Sequence, residues 1–160
     1  MRPLRWHSRK VIALAAEKGI TLGTAESLTG GMIAAALAGV PGASQVLMGG
    51  IVSYDPGVKQ KLLGVAPEVI KGVGVISEPC ARQMATGARE RLGVDIAISA
   101  TGLAGPGGGT PSIPVGTVFL GIATPKGWRV EKKQFRGGRQ AVRRKATLAA
   151  LQMILEALQA

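Results

Sequence analysis

Ser27 is the first side chain of this sequence whose surroundings suggest chemistry. It lies in segment 24–31, where a short stretch that favours a strand runs straight into good helix formers. Two adjacent glycines, Gly30 and Gly31, fall in the predicted first turn of that helix. Each glycine in a helix lowers its stability by about 0.5–1 kcal/mol relative to alanine. A helix start bared by glycine can present the backbone N–H groups around Thr29, Gly30 and Gly31 to an anion or a developing oxyanion.

A purely structural explanation of Ser27 competes with the chemical one. Serine is a common N-cap, because its hydroxyl accepts a hydrogen bond from the first helical turn, and taken alone Ser27 fits that role better. The capping box is incomplete, however, since Gly30 stands where Glu or Gln would complete it. The sequence around Ser27 is therefore compatible with both a cap and a nucleophile.

Segment 49–59 supplies two further candidates, Tyr54 and Lys59, in the polar turn that ends a predicted strand. A lone lysine is more often a surface charge, but one sheltered from water loses its proton more readily and can serve as a base. The chain has one histidine, one cysteine, and no Gly-x-Ser-x-Gly or Ser-x-x-Lys motif. Serine chemistry here would take its base from lysine or tyrosine, and we expect neither a metal nor a redox cofactor.

A glycine-rich segment, 101–110, follows an apolar strand, which is where open α/β sheets bind ligands. Its spacing matches neither a P-loop nor the dinucleotide fingerprint. A ligand cradle and a plain flexible loop are equally good interpretations of this segment by itself.

The elements predicted around these segments describe one α/β domain over residues 1–160. The core must be built from Ala, Val, Ile and Leu, because the chain holds only two Trp, one Tyr and two Phe. About five strands are expected, and a hairpin at residues 125–127 makes the sheet mixed. The predicted helices are Leu4–Lys18, Met32–Ala38, 78–92 with Ser77 as N-cap, and Gln140–Gln159, with short helical pieces at 58–63 and 67–71. The predicted strands are Thr21–Ala25, Gln45–Tyr54, Val94–Ala100, Val115–Thr124 and Arg129–Phe135.

The net charge of +11 is concentrated in two stretches of the chain. Residues 1–18 and 126–145 hold fourteen of the twenty Lys and Arg, whereas residues 19–125 hold six basic and six acidic side chains. A solvated basic face explains this distribution of charge better than a nucleic-acid site, since aromatic residues that could stack on bases are scattered.

We find no apolar run long enough to span a membrane and no signal peptide, and we expect a reduced cytoplasmic protein.

Together the three segments resemble the CinA C-terminal domain family, the competence-damage-inducible proteins whose stand-alone members are nicotinamide-nucleotide amidases. The resemblance covers residues 10 to 158 in unbroken order, and the combination is specific although no single piece is. The matching residues are Thr24-Ala25-Glu26-Ser27, Thr29-Gly30-Gly31, Val40-Pro41-Gly42-Ala43-Ser44, Gly49-Gly50, Tyr54, Lys59, Leu62-Leu63-Gly64-Val65, Ser77-Glu78, Ala88-Arg89, Thr101-Gly102, Pro106-Gly107-Gly108-Gly109-Thr110-Pro111 and Pro114-Val115-Gly116-Thr117-Val118.

The resemblance implies a three-layer α/β/α domain with a mixed sheet, and the hydrolysis of nicotinamide mononucleotide to nicotinate mononucleotide and ammonia. It assigns the catalytic serine, tyrosine and lysine to Ser27, Tyr54 and Lys59. The turn before Lys59, Asp55-Pro56-Gly57, departs from the Ser-Asn-Glu-Ala-like turn common in the family. On this hypothesis Ser27 attacks the carboxamide carbon, and Lys59 accepts the serine proton directly or through Tyr54.

The same hypothesis places the substrate among a small set of residues. We expect Thr101, Gly102 and Gly105 to line the nucleotide pocket. Arg139 or Arg143 is a candidate for binding the substrate phosphate, although both could equally be surface charges on the last helix.

Two other classes of function stay open: a nucleotide-binding module without activity, and a basic nucleic-acid-binding protein. The apolar last helix could be covered either by the chain's own core or by a second copy in a homo-oligomer.

Overall fold

Three strands of one sheet end at the same edge, and each of the three segments singled out above contains the end of one of them. The structure, a computed structural model, describes residues 2–160, so that Met1 lies outside the described residues. Its strands are β1 (Leu22–Glu26), β2 (Leu47–Val52), β3 (Ile96–Gly102), β4 (Thr117–Thr124) and β5 (Gly127–Gln134). Its helices are α1 (Leu4–Lys18), α2 (Met32–Ala38), α3 (Pro56–Leu63), α4 (Pro67–Lys71), α5 (Glu78–Leu92) and α6 (Arg139–Gln159), with one 3₁₀ turn at Ala43–Gln45.

The sheet is mixed, as the hairpin predicts. Its order is β2-β1-β3-β4-β5, with β1 parallel to both β2 and β3, and with β4 antiparallel to β3 and β5. The carboxyl ends of β1, β2 and β3 therefore meet at one edge of the sheet. This edge is where open α/β sheets place their ligands.

Helices cover both faces of the sheet and complete the three-layer architecture. One core cluster joins α1, α2 and α6 to the sheet, and a smaller cluster joins α3 and α5 to its other face. Strands β1 and β3 are buried on both faces, which explains the largely apolar sequence of β3. The apolar side of α6, with Leu151, Ile154 and Leu158, is buried in this chain's own core.

The predicted elements are confirmed with small shifts of their boundaries. Ser77 caps α5 as expected, with its hydroxyl accepting from the Cys80 N–H at 3.3 Å. The loop that the sequence predicts from Thr101 begins only after Gly102, because Thr101 and Gly102 still pair with β4.

Among residues 2–160, none of the helices has the length and apolar character that crossing a membrane requires.

Candidate active site

A lysine and a serine from distant parts of the chain meet at the carboxyl end of β1. The Lys59 Nζ lies 2.9 Å from the Ser27 Oγ, a hydrogen-bonding distance. Lys59 is 1% exposed, and it is one of the largest fully buried side chains of the protein. The two groups that the sequence offered as nucleophile and base are thus in direct contact.

Three oxygen atoms lie within hydrogen-bonding distance of the Lys59 amine. Besides Ser27, the Nζ contacts the carbonyl oxygens of Ser53 at 2.6 Å and Tyr54 at 3.4 Å. A neutral amine has two N–H bonds and one lone pair. The charged form donates one N–H to each of the three oxygens. In the neutral form the two N–H bonds serve the two carbonyls, and the lone pair can accept the Ser27 hydroxyl proton.

Burial lowers the pKa of Lys59 from its ordinary value of 10.5, because an ammonium loses its hydration when it is removed from water. Negative charge on Cys80 or Asp55 would oppose this shift. Burial, however, raises the pKa of the Cys80 thiol to about 11, so that Cys80 is uncharged at neutral pH. Asp55 alone remains as an opposing anion, and desolvation prevails.

Helix α3 aims Lys59 at these partners. Its N-cap is Asp55, whose carboxylate accepts from the Gly57 N–H at 2.8 Å, and Pro56 occupies the first helical position. Helical side chains point back towards the N-terminus of their helix, so Lys59 reaches the carbonyls of Ser53 and Tyr54 just before α3. The Asp55-Pro56-Gly57 turn, which departs from the family pattern, thus begins the helix that delivers the lysine.

The two glycines after Ser27 form a turn and not the first turn of a helix, which corrects the sequence prediction. Gly30 and Gly31 have φ angles of 57° and 104°, in the left-handed region that favours glycine. Helix α2 begins only at Met32. The glycines allow the chain to reverse sharply between β1 and α2.

Glu26, immediately before Ser27, caps α2. Its carboxylate accepts from the backbone N–H groups of Ile33 at 2.9 Å and Ala34 at 3.0 Å, and from the Thr24 hydroxyl at 3.2 Å. Glu26 is completely buried. The interpretation of Ser27 as an N-cap of α2 is therefore wrong, because Glu26 performs that role and leaves the Ser27 hydroxyl to Lys59.

A cavity of about 220 Å³ opens beside the Ser27–Lys59 pair. Three residues expected at the nucleotide pocket, Thr101, Gly102 and Gly105, lie in its wall. The Thr101 hydroxyl donates to the Val75 carbonyl at 2.7 Å, which ties the end of β3 to the opposite wall. The full lining consists of Ser27, Leu28, Tyr54, Lys59, Val75, Ile76, Thr101, Gly102, Leu103, Ala104, Gly105, Gly107 and Arg139.

Tyr54 and Arg139 meet at the rim of this cavity. The Arg139 guanidinium donates to the Tyr54 hydroxyl at 2.8 Å and to the Gly105 carbonyl at 2.7 Å. Tyr54 is 57% exposed, and its hydroxyl does not lie between Ser27 and Lys59, which are already in contact. The geometry supports the direct route for the serine proton and places the Tyr54 side chain with Arg139.

The other predicted binding residues lie outside the cavity wall. Arg143 is held by the backbone, with donations to the Leu28 carbonyl at 2.8 Å and the Thr29 carbonyl at 3.3 Å. The Gly30 N–H already donates to the Ser27 carbonyl at 3.0 Å, so it is not available to an oxyanion. Thr29, Gly30 and Gly31 belong to the turn that supports Ser27 and do not line the cavity.

Sequence reasoning missed the apolar wall residues Val75, Ile76 and Leu103. It also missed three residues beside the Ser27–Lys59 pair, namely Leu28, Ser53 and Glu26. Leu28 lines the cavity, and its backbone N–H has no hydrogen-bond partner among residues 2–160. Its position directly after the nucleophile, where many serine hydrolases place an oxyanion donor, was an available signal. The Ser53 carbonyl and the Glu26 carboxylate left no such signal, since their roles depend on how distant segments pack.

Comparisons with known proteins identify the family of this chain. The family model described as the CinA C-terminal domain matches residues 5–158. A CinA-like protein of Anaeromyxobacter sp. (strain K) is 45% identical over 148 residues, which cover 92% of this chain and 36% of that protein. The chain thus spans about a third of the length of the curated relatives that it matches.

Solved structures extend the similarity to the whole fold. The competence/damage inducible protein CihA from Agrobacterium tumefaciens superposes with a TM-score of 0.95 at 36% identity, covering 100% of this chain and 99% of that one. A CinA superfamily protein from Escherichia coli gives a TM-score of 0.93 at 30% identity, covering 97% and 90%. The fold and site define a three-layer α/β protein with a serine–lysine pair at the carboxyl ends of parallel strands. The chain belongs to the CinA C-terminal domain family.

We predict that Glu26→Ala destabilises the protein by about 2–5 kcal/mol, because it leaves one buried and one partly buried N–H group of α2 without an acceptor. Urea unfolding followed by circular dichroism measures the change. The matched control is Glu90→Ala on the exposed side of α5, which we expect to alter the free energy of unfolding by no more than about 0.5 kcal/mol. Equal stability of the two variants would show that the Glu26 cap contributes nothing.

Proposed function

We propose that this chain is a serine amidohydrolase that converts nicotinamide mononucleotide to nicotinate mononucleotide and ammonia. The observation that carries the proposal is the 2.9 Å contact between the Ser27 hydroxyl and the buried Lys59 amine. The resemblance of the site segments to stand-alone family members supplies the substrate. A hydroxyl beside a neutral amine is an activated nucleophile, which is what attack on an unreactive amide requires.

In the first half of the reaction, the Ser27 Oγ forms a bond to the carboxamide carbon while its proton passes to the Lys59 Nζ. The tetrahedral intermediate then collapses, and the bond from carbon to nitrogen breaks. Lys59, now an ammonium, donates the proton to the departing nitrogen, which leaves as ammonia. The products of this half are a nicotinoyl ester on Ser27 and a neutral Lys59.

In the second half, water takes the place of the serine hydroxyl. Lys59 removes a proton from the water as its oxygen attacks the ester carbon. The same proton returns to the Ser27 Oγ when the ester bond breaks, and nicotinate mononucleotide is released. The Ser53 and Tyr54 carbonyls stabilise the ammonium form of Lys59 during both halves, because each accepts one of its N–H bonds.

The Leu28 N–H is the candidate donor to the oxyanion. Leu28 follows the nucleophile directly and lines the cavity, and its N–H has no partner within the described chain. Arg143 stabilises the Leu28–Thr29 turn by binding its carbonyls, so its contribution to catalysis is positional. Removal of one oxyanion donor typically costs about 3–4 kcal/mol of barrier.

The size of the cavity suits one end of the substrate. A volume of about 220 Å³ falls below the roughly 300–1,000 Å³ of pockets that hold a whole drug-sized ligand. The nicotinamide ring would occupy this space between Val75, Ile76 and Leu103. The ribose phosphate would then extend to the rim, where the Arg139 guanidinium can pair with the phosphate oxygens.

We predict that Ser27→Ala lowers ammonia release from nicotinamide mononucleotide at least about 1,000-fold without unfolding the protein, because no other hydroxyl contacts Lys59. An ammonia assay on purified protein without added metal, with nicotinate mononucleotide identified by chromatography, measures the rate. Ser112→Ala in the exposed loop is the matched control and should retain the wild-type rate. Wild-type turnover by Ser27→Ala would exclude this nucleophile, whereas a folded but inactive wild-type protein would favour a binding module.

A second prediction separates the phosphate contact from the chemistry. Arg139→Ala should raise KM for the mononucleotide by about 10-fold or more and leave KM for nicotinamide riboside, which has no phosphate, nearly unchanged. Steady-state kinetics on both substrates gives the comparison, with Arg144→Ala as an exposed control outside the cavity. An equal loss on both substrates would show that Arg139 only supports the rim through Gly105 and Tyr54.

A further inference from the structure

The polar side chains around the Ser27–Lys59 pair are engaged with one another or with the backbone. Thr101 is 1% exposed, and its hydroxyl donates to a backbone carbonyl at 2.7 Å. The Tyr54 hydroxyl and the Arg139 guanidinium bind each other at the rim, at 2.8 Å. The other members of the wall are glycine or apolar. Within the described part of the chain, Lys59 is therefore the one side chain of the wall that can bind and activate a molecule beside Ser27.

This composition of the wall bears on the second half of the proposed reaction, in which a nucleophile attacks the nicotinoyl ester on Ser27. A hydrolase can favour water over a stronger nucleophile by binding the water through several fixed groups. Here Lys59 alone serves the attacking atom, and a base accepts a proton from an O–H or an N–H alike. The described side chains of the wall therefore do not distinguish water from a small amine.

The proposed first half of the reaction already requires room for a nitrogen atom. Ammonia leaves from a position beside the Lys59 Nζ, which gives it a proton as the bond from carbon to nitrogen breaks. By microscopic reversibility, an amine that arrives by the same path can attack the ester carbon and give its proton to Lys59. The path that releases ammonia thus also admits an acceptor of similar size.

Size and charge limit this acceptor. The cavity holds about 220 Å³, and the nicotinoyl ring would fill much of it between Val75, Ile76 and Leu103. An acceptor little larger than ammonia fits in the remaining space. An ammonium has no lone pair for attack, and a simple alkylamine, with a pKa near that of lysine at about 10.4, is an ammonium at neutral pH. The acceptor is therefore small and uncharged, as hydroxylamine is at neutral pH.

We propose that the Ser27–Lys59 site is also an acyltransferase, which transfers the nicotinoyl group of the mononucleotide from Ser27 to small uncharged amines. Lys59 takes one proton from the amine nitrogen as that nitrogen forms a bond to the ester carbon. The bond between this carbon and the Ser27 Oγ then breaks, and Lys59 returns the proton to the Oγ. With hydroxylamine, the products are the hydroxamate of nicotinate mononucleotide and free Ser27. The proposal rests on the proposed amidase function, because both reactions share the ester on Ser27.

The test follows two products of the wild-type protein, with nicotinamide mononucleotide as donor and hydroxylamine raised to the molar range as acceptor. Chromatography with mass spectrometry should show that the ratio of hydroxamate to nicotinate mononucleotide rises in proportion to hydroxylamine. The methyl ester of nicotinate mononucleotide is a second donor. After subtraction of the reaction without protein, it should give the same ratio at each concentration, since both donors pass through one ester on Ser27.

Methylamine is the matched acceptor, because it has the size of hydroxylamine but carries a positive charge. At neutral pH only about one molecule in 1,000 of methylamine is uncharged, so transfer to it should be at least about 100-fold lower. Ser27→Ala should form neither product, whereas Ser112→Ala in the exposed loop should give the wild-type ratio.

The possible failures are distinguishable. Ammonia release without hydroxamate would overturn the acyl transfer and leave the amidase function intact. Different product ratios from the amide and the ester, or hydroxamate formed by Ser27→Ala, would overturn transfer through a shared ester on Ser27. Equal transfer to methylamine at neutral pH would overturn the requirement for an uncharged acceptor. A folded protein that releases no ammonia would contradict the proposed function, and the acyl transfer with it.

Discussion

The site depends on one amine that is held out of water against a serine hydroxyl. An ammonium in the position of Lys59 would lose its hydration, and desolvation therefore favours the form that has a lone pair. In that form the Ser53 and Tyr54 carbonyls accept the two N–H bonds, which leaves the lone pair for the Ser27 hydroxyl. The turn between β1 and α2 and the capped helix α3 maintain this arrangement.

Neighbouring residues divide the structural and chemical roles between them. Glu26 satisfies the first N–H groups of α2, which frees Ser27 from capping. Along α6, Arg139 faces the cavity rim while Arg143, one turn later, binds the carbonyls of the Ser27 turn. The same helix therefore both supports the nucleophile and presents a cation to the mouth of the cavity.

The sequence was sufficient for the fold and for the residues of the pair. Apolar periodicity, the Ser77 cap and the 125–127 hairpin predicted every long helix and every strand, because each is a local signal. Ser27 and Lys59 could be chosen because their segments resemble those that hold the catalytic serine and lysine of the CinA C-terminal domain family. Their 2.9 Å contact could not be predicted, since it joins segments 32 residues apart through the packing of α3 against the sheet.

The sequence did not predict the conformation of the Gly30-Gly31 turn or which arginine of α6 faces the cavity, and both have the same cause. A Gly-Gly pair is compatible with a bared helix start and with a left-handed turn, and only the contact of Glu26 with α2 distinguishes them. Which arginine faces the cavity likewise depends on the rotation of α6 about its axis. Both features depend on tertiary contacts. The sequence around Gly30, Arg139 and Arg143 is compatible with either conformation of the turn and with either arginine facing the cavity.

The most direct test of the account is the protonation state of Lys59. A ¹³C NMR titration of the lysine Cε resonances, with Lys59 assigned by its absence in Lys59→Met and the urea-unfolded chain as reference, measures the pKa in place. Because burial lowers the folded-state pKa, we predict that Lys59 releases its proton at a pH clearly below 10.5 and is neutral where the unfolded lysines are still charged. A Lys59 that stays protonated up to pH 10.5 or beyond would contradict the neutral amine on which the serine chemistry depends.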